Sequence, residues 1–417
     1  MADLSAGFRA FWMRVIAPRR ALLAVSGGAD SMAMMRLAAD LAREDVADFE
    51  IATVDHGLRP GSREEAETVA DAARELGFRH AILSWEGEKP RGGVQAAARA
   101  ARYRLLADYA SKVDAEAVVV AHTAEDQAET VFMRRARGSG PRGLAGMAEK
   151  SLIAAGASKP VQLLRPFLRV RRAALRSYLR VTGSSFVKDP SNENLKFERI
   201  RVRHRLAHLE AAGVAVVEAL LRTADAMRIE ADRIEAAENK RFQVLDGRFC
   251  AFGTATLAAT ATAQDRGLIA RLVFAVGGGE YPPALQAAKE ALASASAGAA
   301  ATLGGAIIER SGEAIRIRRE PAALFGRAGV APAAPVPLGD RRRSLWDRRF
   351  IVENRLGAPA EIRPLDAAAI SRHGLAPSAI GAPALFMGPV VAAIPGESDG
   401  FEALAAERFY RRVNRFQ

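Results

Sequence analysis

The stretch Ala21-Leu-Leu-Ala-Val-Ser-Gly-Gly-Ala-Asp-Ser31 constrains this chain most, because an uncharged run ends abruptly in Ser26, Gly27, Gly28, Asp30 and Ser31. Ala21–Val25 has the length of a buried parallel strand, and Met32–Ala42 recurs with helical spacing. A loop therefore sits where a strand's C-terminal end meets a helix N-terminus. Anions bind at such places: two glycines let the backbone approach a phosphate and take positive φ, the helix end supplies N–H groups, and Ser26 and Ser31 add hydroxyls. The Gly-Lys-Ser/Thr ending of the ATPase phosphate loop is missing, and so is the Gly-x-Gly-x-x-Gly of dinucleotide folds. Asp30 would repel a phosphate unless a cation lay between them, so it points to Mg²⁺ on a nucleotide.

Apolar segments Phe49–Val54, His80–Trp85 and Ala117–Ala121 alternate with helical stretches, the rhythm of an α/β chain with a doubly wound parallel sheet. Ser62 with Glu65 reads as a capping box opening a helix that runs to Leu76 and stops at Gly77. Ligands lie at the carboxyl ends of such strands, so Ser26–Ser31, Asp55-His56, and His122 with Glu125-Asp126 are the candidates for chemistry. Val94–Ser111 is expected to be a helix with Arg99 and Arg102 on one face, and Val131–Arg137 to continue a helix begun near Glu125 and end in a flexible loop, Arg137–Pro141. A fifth apolar segment is Val161–Leu164.

Three parts are expected: residues 1–205, an ATP-binding catalytic domain; 206–320, a helical middle domain opened by an amphipathic helix through Val217, Leu220, Ala224 and Met227; and 338–417, a small β-rich domain contacting RNA. Ala306–Arg310 and Ala314–Arg318 read as a hairpin, and the Ala/Pro-rich stretch from Pro321 to Pro337 as a linker. There is no internal repeat.

Composition narrows the function classes. A single cysteine, Cys250, excludes an intramolecular disulfide framework or an iron–sulfur cluster on cysteines, and makes the cytoplasm the expected compartment. Arg9, Arg14, Arg19 and Arg20 interrupt every early apolar run, so no signal peptide is expected. Four prolines break the uncharged run Gly374–Gly396, so no membrane span is expected there. The net charge is +12, and its excess is concentrated. Between Arg165 and Arg205 twelve Lys/Arg face only Asp189, Glu193 and Glu198. A nearly one-signed band beside a nucleotide domain points to a polyanionic partner, with Arg199, Arg201 and Arg203 as RNA contacts. A second cluster is Arg341-Arg342-Arg343, with Arg411-Arg412 further on.

Set side by side, Ser26–Ser31, Val54-Asp-His-Gly-Leu-Arg59, Gln95-Ala-Ala-Ala-Arg-Ala-Ala-Arg-Tyr103, His122-Thr-Ala-Glu-Asp-Gln-Ala-Glu-Thr130, Arg137-Gly-Ser-Gly-Pro-Arg-Gly-Leu144, and Asp189-Pro-Ser-Asn192 followed by Phe197-Glu-Arg-Ile-Arg-Val-Arg203 form six ordered motifs. The combination resembles the tRNA(Ile)-lysidine synthetases, long members of the PP-loop ATP-pyrophosphatases, whose ATP domain is Rossmann-like. The chain departs from the usual pattern at Thr123, where a second histidine is common, at Glu125, where an aspartate is common, and at Ile200, where asparagine is usual.

The resemblance implies a ligase acting in two steps. ATP adenylates the 2-carbonyl oxygen of the wobble cytidine in a CAU-anticodon isoleucine tRNA, and the ε-amine of free L-lysine then displaces AMP, giving lysidine and AUA decoding. Ser26, Gly27, Gly28, Ala29, Asp30, Ser31, Asp55, His56 and His122 would bind ATP. Asp30 and Asp126 would hold Mg²⁺, with Glu125 left open, and Arg99 would stabilise charge on the transferred adenylyl group beside catalytic Asp30 and Asp126. No membrane partner is implied, and a homodimer is left open. The rival readings are another PP-loop tRNA-modifying enzyme, such as a thiolase, and a non-catalytic tRNA-binding relative.

Overall fold

The structure is a computed structural model, and it describes residues 2–15, 19–58, 61–87, 89–90, 93–153, 161–187, 197–279, 281–326 and 331–410. Arg59, Lys188, Lys196, the Asp189–Asn192 motif and Arg411-Arg412 lie outside the described residues. The chain divides into two compact units, Met1–Asp232 (with Asn414–Gln417) and Arg233–Val413.

The first unit contains α1 (Ala2–Arg14), β1 (Arg20–Ala24), α2 (Ala29–Arg43), β2 (Asp48–Asp55), α3 (Ser62–Glu75), β3 (Arg79–Ser84), α4 (Val94–Lys112), β4 (Ala117–Val119), α5 (Ala124–Ala136), α6 (Pro141–Leu144), β5 (Lys150–Ile153), β6 (Val161–Leu164), α7 (Arg172–Val181), α8 (Glu198–Ala211) and most of α9 (Val216–Val244). Its six strands run in the order β3-β2-β1-β4-β6-β5, all parallel except β5 against β6. Alternate residues of β1 serve opposite faces, as strand pleating dictates. Ala21 and Leu23 join a core built from α1, α2, α3 and α7, whereas Leu22 joins Tyr103, Leu106 and Ala107 of α4. This is the doubly wound sheet read from the sequence.

Helices α5, α8 and α9 form a separate apolar cluster through Ala128, Val131, Val202, Leu206, Val217 and Leu220. It positions the basic residues of α8 beside the strand ends.

The Ser62–Glu65 capping box is not formed. Gly61 is the N-cap of α3, in the left-handed region at φ 83°, and the Ser62 hydroxyl donates to Asp55 Oδ1 at 2.7 Å instead. The capping box that does form lies on α5, between Thr123 and Asp126. Beyond the Arg137–Pro141 loop, Arg134 donates to the Gly143 and Gly146 carbonyls, and the Gln127 amide exchanges hydrogen bonds with the Met147 backbone.

The second unit continues with β7 (Arg248–Phe249), β8 (Ala255–Ala258), β9 (Ala301–Leu303), β10 (Ala306–Ser311) and β11 (Ala314–Arg319), and the hairpin β10–β11 is the centre of their five-stranded antiparallel sheet, in the order β7-β8-β11-β10-β9. Helices α10 (Arg266–Gly277) and α11 (Leu285–Ser296) pack on it, so the middle segment is mixed rather than purely helical. Two further antiparallel sheets follow, of four and three strands, as the Pro- and Gly-punctuated pieces after residue 337 predict. The segment 321–337 is partly built in: Leu324 is buried in the apolar cluster beneath those sheets, and Val336–Leu338 pairs with Ala360–Pro364. No helix among the described residues is long and apolar enough to cross a membrane.

Candidate active site

At the carboxyl ends of the first unit's strands lies a cavity of about 1880 Å³. Ser26, Gly28, Ala29, Asp30, Ser31, His56, His122 and Asp126 all line it, so the residues proposed from three separate strand ends converge. Gly27 and Asp55 do not line it. Gly27 takes φ 82°, and a Cβ there would meet Val187 and Val69 methyls at 3.3 Å. Gly28 differs from expectation: its φ is −70°, so only one of the two glycines needs the left-handed region. The Ser31 hydroxyl is spent inside the loop, donating to the Gly28 carbonyl at 2.9 Å and accepting the Ser26 N–H at 3.1 Å. The Ser31 and Met32 N–H groups are taken by the Gly28 carbonyl, so the Ala29 and Asp30 N–H groups at the start of α2 are the loop's candidate donors for an anion. Asp55 is likewise structural in its contacts, accepting from the Gly57 N–H and the Ser62 hydroxyl, and those two bonds outweigh the upward effect of burial to hold its carboxyl below the usual range.

Asp30 is differently placed. Its Oδ2 accepts from Arg172 Nε at 3.1 Å, while its buried Oδ1 has no hydrogen-bond partner among the described residues. Burial pushes the carboxyl up, Arg172 pulls it down and Asp126 pushes it up again, leaving it at about 6. An orphaned carboxylate oxygen in a cavity is a seat for a hard cation, and the chemistry fits Mg²⁺. No cluster of three or more His, Cys, Asp or Glu suited to a metal occurs among the described residues.

Asp126 is more heavily engaged. Its Oδ2 accepts the Thr123 N–H and hydroxyl, both at 2.9 Å, and its Oδ1 meets Arg199 at 3.1 Å and Arg172 at 3.3 Å. Burial would raise this carboxyl, but Arg172 and Arg199, with the Thr123 N–H, outweigh it and hold it well below the usual range. His122 is kept neutral, first by burial and then by Arg165, Arg102 and Arg99. Burial, aided by Arg102, also lowers His56, which stands edge-on to Trp85.

Glu125, whose metal role the sequence leaves open, accepts from Arg171 Nε at 2.9 Å and from the Arg172 N–H at 2.9 Å. Its extra methylene lets it cap α7, whose N-cap Arg171 has no capping side chain of its own. Arg171 continues to Glu210 and Glu218, tying α7 to α8 and α9.

Arg99 is exposed and stacks over Tyr103 at 4.9 Å, off the cavity wall, while its neighbour Arg102 is on it. Within the basic band the structure divides the arginines. Arg199 and Arg203 turn inward to Glu129, which is 1% exposed, and Arg165 is wholly buried, donating to the Ala148 carbonyl and the Ser151 hydroxyl. Arg201 points outward. In the second unit Arg341, Arg342 and Arg343 are all exposed, with Arg343 near Glu353 and Glu402. Sequence reasoning missed Arg172, Arg176 and Glu129 as site residues. The first two stand out in the sequence only as members of the band, and an inward-facing arginine has no one-dimensional mark apart from its place at the start of a helix after a strand.

A family model described as a PP-loop domain matches residues 7–210, which include the whole cavity wall. The chain is 37% identical over 359 residues to the tRNA(Ile)-lysidine synthase of Ruegeria pomeroyi, covering 85% of this chain and 81% of that one. The corresponding protein of Rhizobium meliloti is 36% identical over 362 residues, 83% of this chain and 76% of its own. That of Methylobacterium nodulans is 39% identical over 323 residues, 74% and 93%. With a phosphate loop, an orphaned carboxylate and converging strand-end motifs in one cavity, and relatives aligned over most of both chains, this chain belongs to the tRNA(Ile)-lysidine synthase family.

Proposed function

We propose that this protein is the ATP-dependent ligase that converts the wobble cytidine of a CAU-anticodon isoleucine tRNA to lysidine. The observation that carries the reading is the convergence of the Ser26–Ser31 loop, the unpartnered Asp30 Oδ1 and Asp126 in one cavity, within a chain of this family. In the first step the 2-carbonyl oxygen of cytidine attacks the α-phosphorus of ATP, the α–β bond breaks, and pyrophosphate leaves. In the second the ε-amine of free lysine attacks C2, AMP departs with the oxygen, and the amine's proton is lost.

Breaking ATP between its α- and β-phosphates requires pyrophosphate to be held as it leaves, and the N–H groups at the start of α2 are aimed for that task. Asp30 and Asp126 would hold Mg²⁺, which supplies neutralisation of the charge that develops on the phosphates. Arg102 on the wall, with Arg99 beside it over Tyr103, places positive charge next to neutral His122. Such charge favours the developing anion on the adenylyl group, and an always-charged planar fork suits it. His56, edge-on to Trp85, lines the part of the wall that would meet the nucleoside.

Residues 1–205 would carry this chemistry, residues 206–320 would space the ends, and residues 338–417 would contact the tRNA through Arg341–Arg343. Arg201 of α8, exposed together with Arg205, would face RNA, whereas Arg199 and Arg203 serve the site floor. Work on the cytoplasmic tRNA pool fits the single cysteine. A sulfur-transferring relative is disfavoured because the only cysteine, Cys250, belongs to the other unit.

The test is pyrophosphate release measured with CAU-anticodon tRNA, ATP and lysine. Release should require the tRNA, and lysidine should form only when lysine is added. A protein that binds the tRNA yet releases no pyrophosphate would be a non-catalytic relative.

A further inference from the structure

Three carboxylates and three guanidiniums close on one another at the floor of the cavity. Asp30 comes from α2, Asp126 and Glu129 from α5, Arg172 from α7, and Arg199 and Arg203 from α8. Their formal charges cancel. Arg199 and Arg203 bind Glu129 at 2.6 and 2.7 Å and also reach Asp126 Oδ1, at 3.1 and 3.8 Å, so both serve carboxylates of α5 alone. Arg172 has a different geometry, because its fork joins carboxylates from two helices: Nε lies 3.1 Å from Asp30 Oδ2 and Nη2 lies 3.3 Å from Asp126 Oδ1. Those are the two carboxylates to which a nucleotide's cation would be bound, and two cations at one carboxylate pair repel each other strongly in a cavity of reduced dielectric. A bare cation arriving at Asp30 Oδ1 would be opposed by the guanidinium already on Oδ2.

The backbone of Arg172 is fixed while its side chain is not confined to one partner. Its N–H is held by Glu125, and the preceding Arg171 is held by Glu125, Glu210 and Glu218. The side chain lines the cavity, as does that of Arg176 one turn further along α7. A guanidinium fork fits phosphate oxygens as well as carboxylate oxygens, so a short swing would exchange one anion for another.

Resting on the nucleotide reading above, we propose that Arg172 acts as a resident counter-cation that holds Asp30 and Asp126 together until the metal–nucleotide enters, and then moves its guanidinium to the phosphates, alongside Arg176. The site would thereby select the metal–nucleotide complex over the bare cation, because only the complex brings a replacement anion for Arg172.

The test uses the full chain with Mn²⁺ as the probe, its free fraction read by electron paramagnetic resonance, with and without ATP. The wild type should bind Mn²⁺ alone weakly and Mn·ATP more tightly. Arg172→Gln should reverse that order, binding Mn²⁺ alone tighter by about tenfold and Mn·ATP weaker by about tenfold, the worth of one charge-assisted hydrogen bond in each state. Arg172→Lys keeps a charge but loses the planar fork whose Nε and Nη2 reach the two carboxylates separately, so its affinity for Mn²⁺ alone should fall between the two. It serves as the comparison if thermal unfolding shows that the glutamine variant is not folded. Affinity for Mn²⁺ alone that is unchanged in the folded variants overturns the exchange, even where Mn·ATP still binds. Failure of the nucleotide reading would look different: the wild type would show no Mn·ATP binding that Asp30→Asn abolishes.

Discussion

Thr123 and Asp126 cap α5 reciprocally, the Asp126 carboxylate taking the Thr123 N–H at 2.9 Å while the Thr123 hydroxyl faces the Asp126 N–H at 3.5 Å. The same carboxylate meets Arg172 and Arg199, so it has both a structural and an electrostatic task. Asp126→Ala should cost about 3–5 kcal/mol in urea unfolding, because it removes a cap and strands two guanidiniums near Glu129. Thr123→Ala should cost only about 1 kcal/mol and keep most activity. If Asp126→Ala left the Mg²⁺ dependence of the reaction unchanged, Asp126 would be reassigned to structure alone.

Asp30→Asn should keep the fold and abolish adenylation, measured as pyrophosphate release. It should also change how stability varies with pH. The folded carboxyl titrates at about 6, above its ordinary 3.8, so its contribution is complete below about pH 4 and is lost as pH rises through 6. The variant should lack that downward slope between pH 4 and 6 in metal-free buffer. A variant with full turnover would remove Asp30 from the chemistry.

Tyr103 is 3% exposed, and burial alone would raise its phenol; Arg102, Arg99 and Arg165 outweigh burial and bring it to about 8. A depressed acid stabilises the fold above its unfolded value and loses that contribution as pH falls, so stability should rise from pH 8 to 10 by about 2–3 kcal/mol. In an ultraviolet titration one tyrosine of the five should ionise near pH 8, and Tyr103→Phe should abolish that step. Tyr109, half-buried and bonded to Glu50, should ionise late, at about 12.

Arg99→Ala should lower turnover far more than tRNA affinity, and Arg102→Ala, which opens the cavity wall itself, should do so at least as strongly. A loss confined to tRNA affinity in Arg99→Ala would make Arg99 an RNA contact.

For the second unit, truncation near Pro337 is a poor test, because Phe409 packs on Phe242 and Arg408 donates to the Phe274 carbonyl of α10. Replacing Arg341, Arg342 and Arg343 by glutamate in the full chain avoids this. If they touch phosphates, tRNA binding should weaken and the slope of log affinity against log salt should flatten by about 0.7–0.9 for each phosphate no longer neutralised. Unchanged affinity and slope would leave α8 as the main RNA surface.

Periodicity and turn chemistry made the sheet, its strand ends and the β-rich second half legible, since buried parallel strands and phosphate loops leave strong local marks. What stayed hidden was the direction in which charged side chains point. Arg199 and Arg203 read as surface from their density alone, yet the packing of Val202 and Leu206 against α5 turns them onto Glu129. Ser62 fitted a capping pattern equally well, but Asp55, seven residues away, competed for its hydroxyl and won. The middle sheet was seen only as its hairpin because its other strands, such as Ala301–Leu303, are too short to register.

The placement of Phe409 beside Phe242 also sets an order of events during synthesis. Arg271 donates to a carbonyl 138 residues further along, at Phe409, so the second unit's apolar interior stays open until that segment has left the ribosome. The first unit's sheet, closed by Leu164, needs no such wait. Chains cut short between Ile317 and Phe409 would thus carry a finished nucleotide fold joined to an exposed, adhesive remnant, a form suited to rapid removal by proteases.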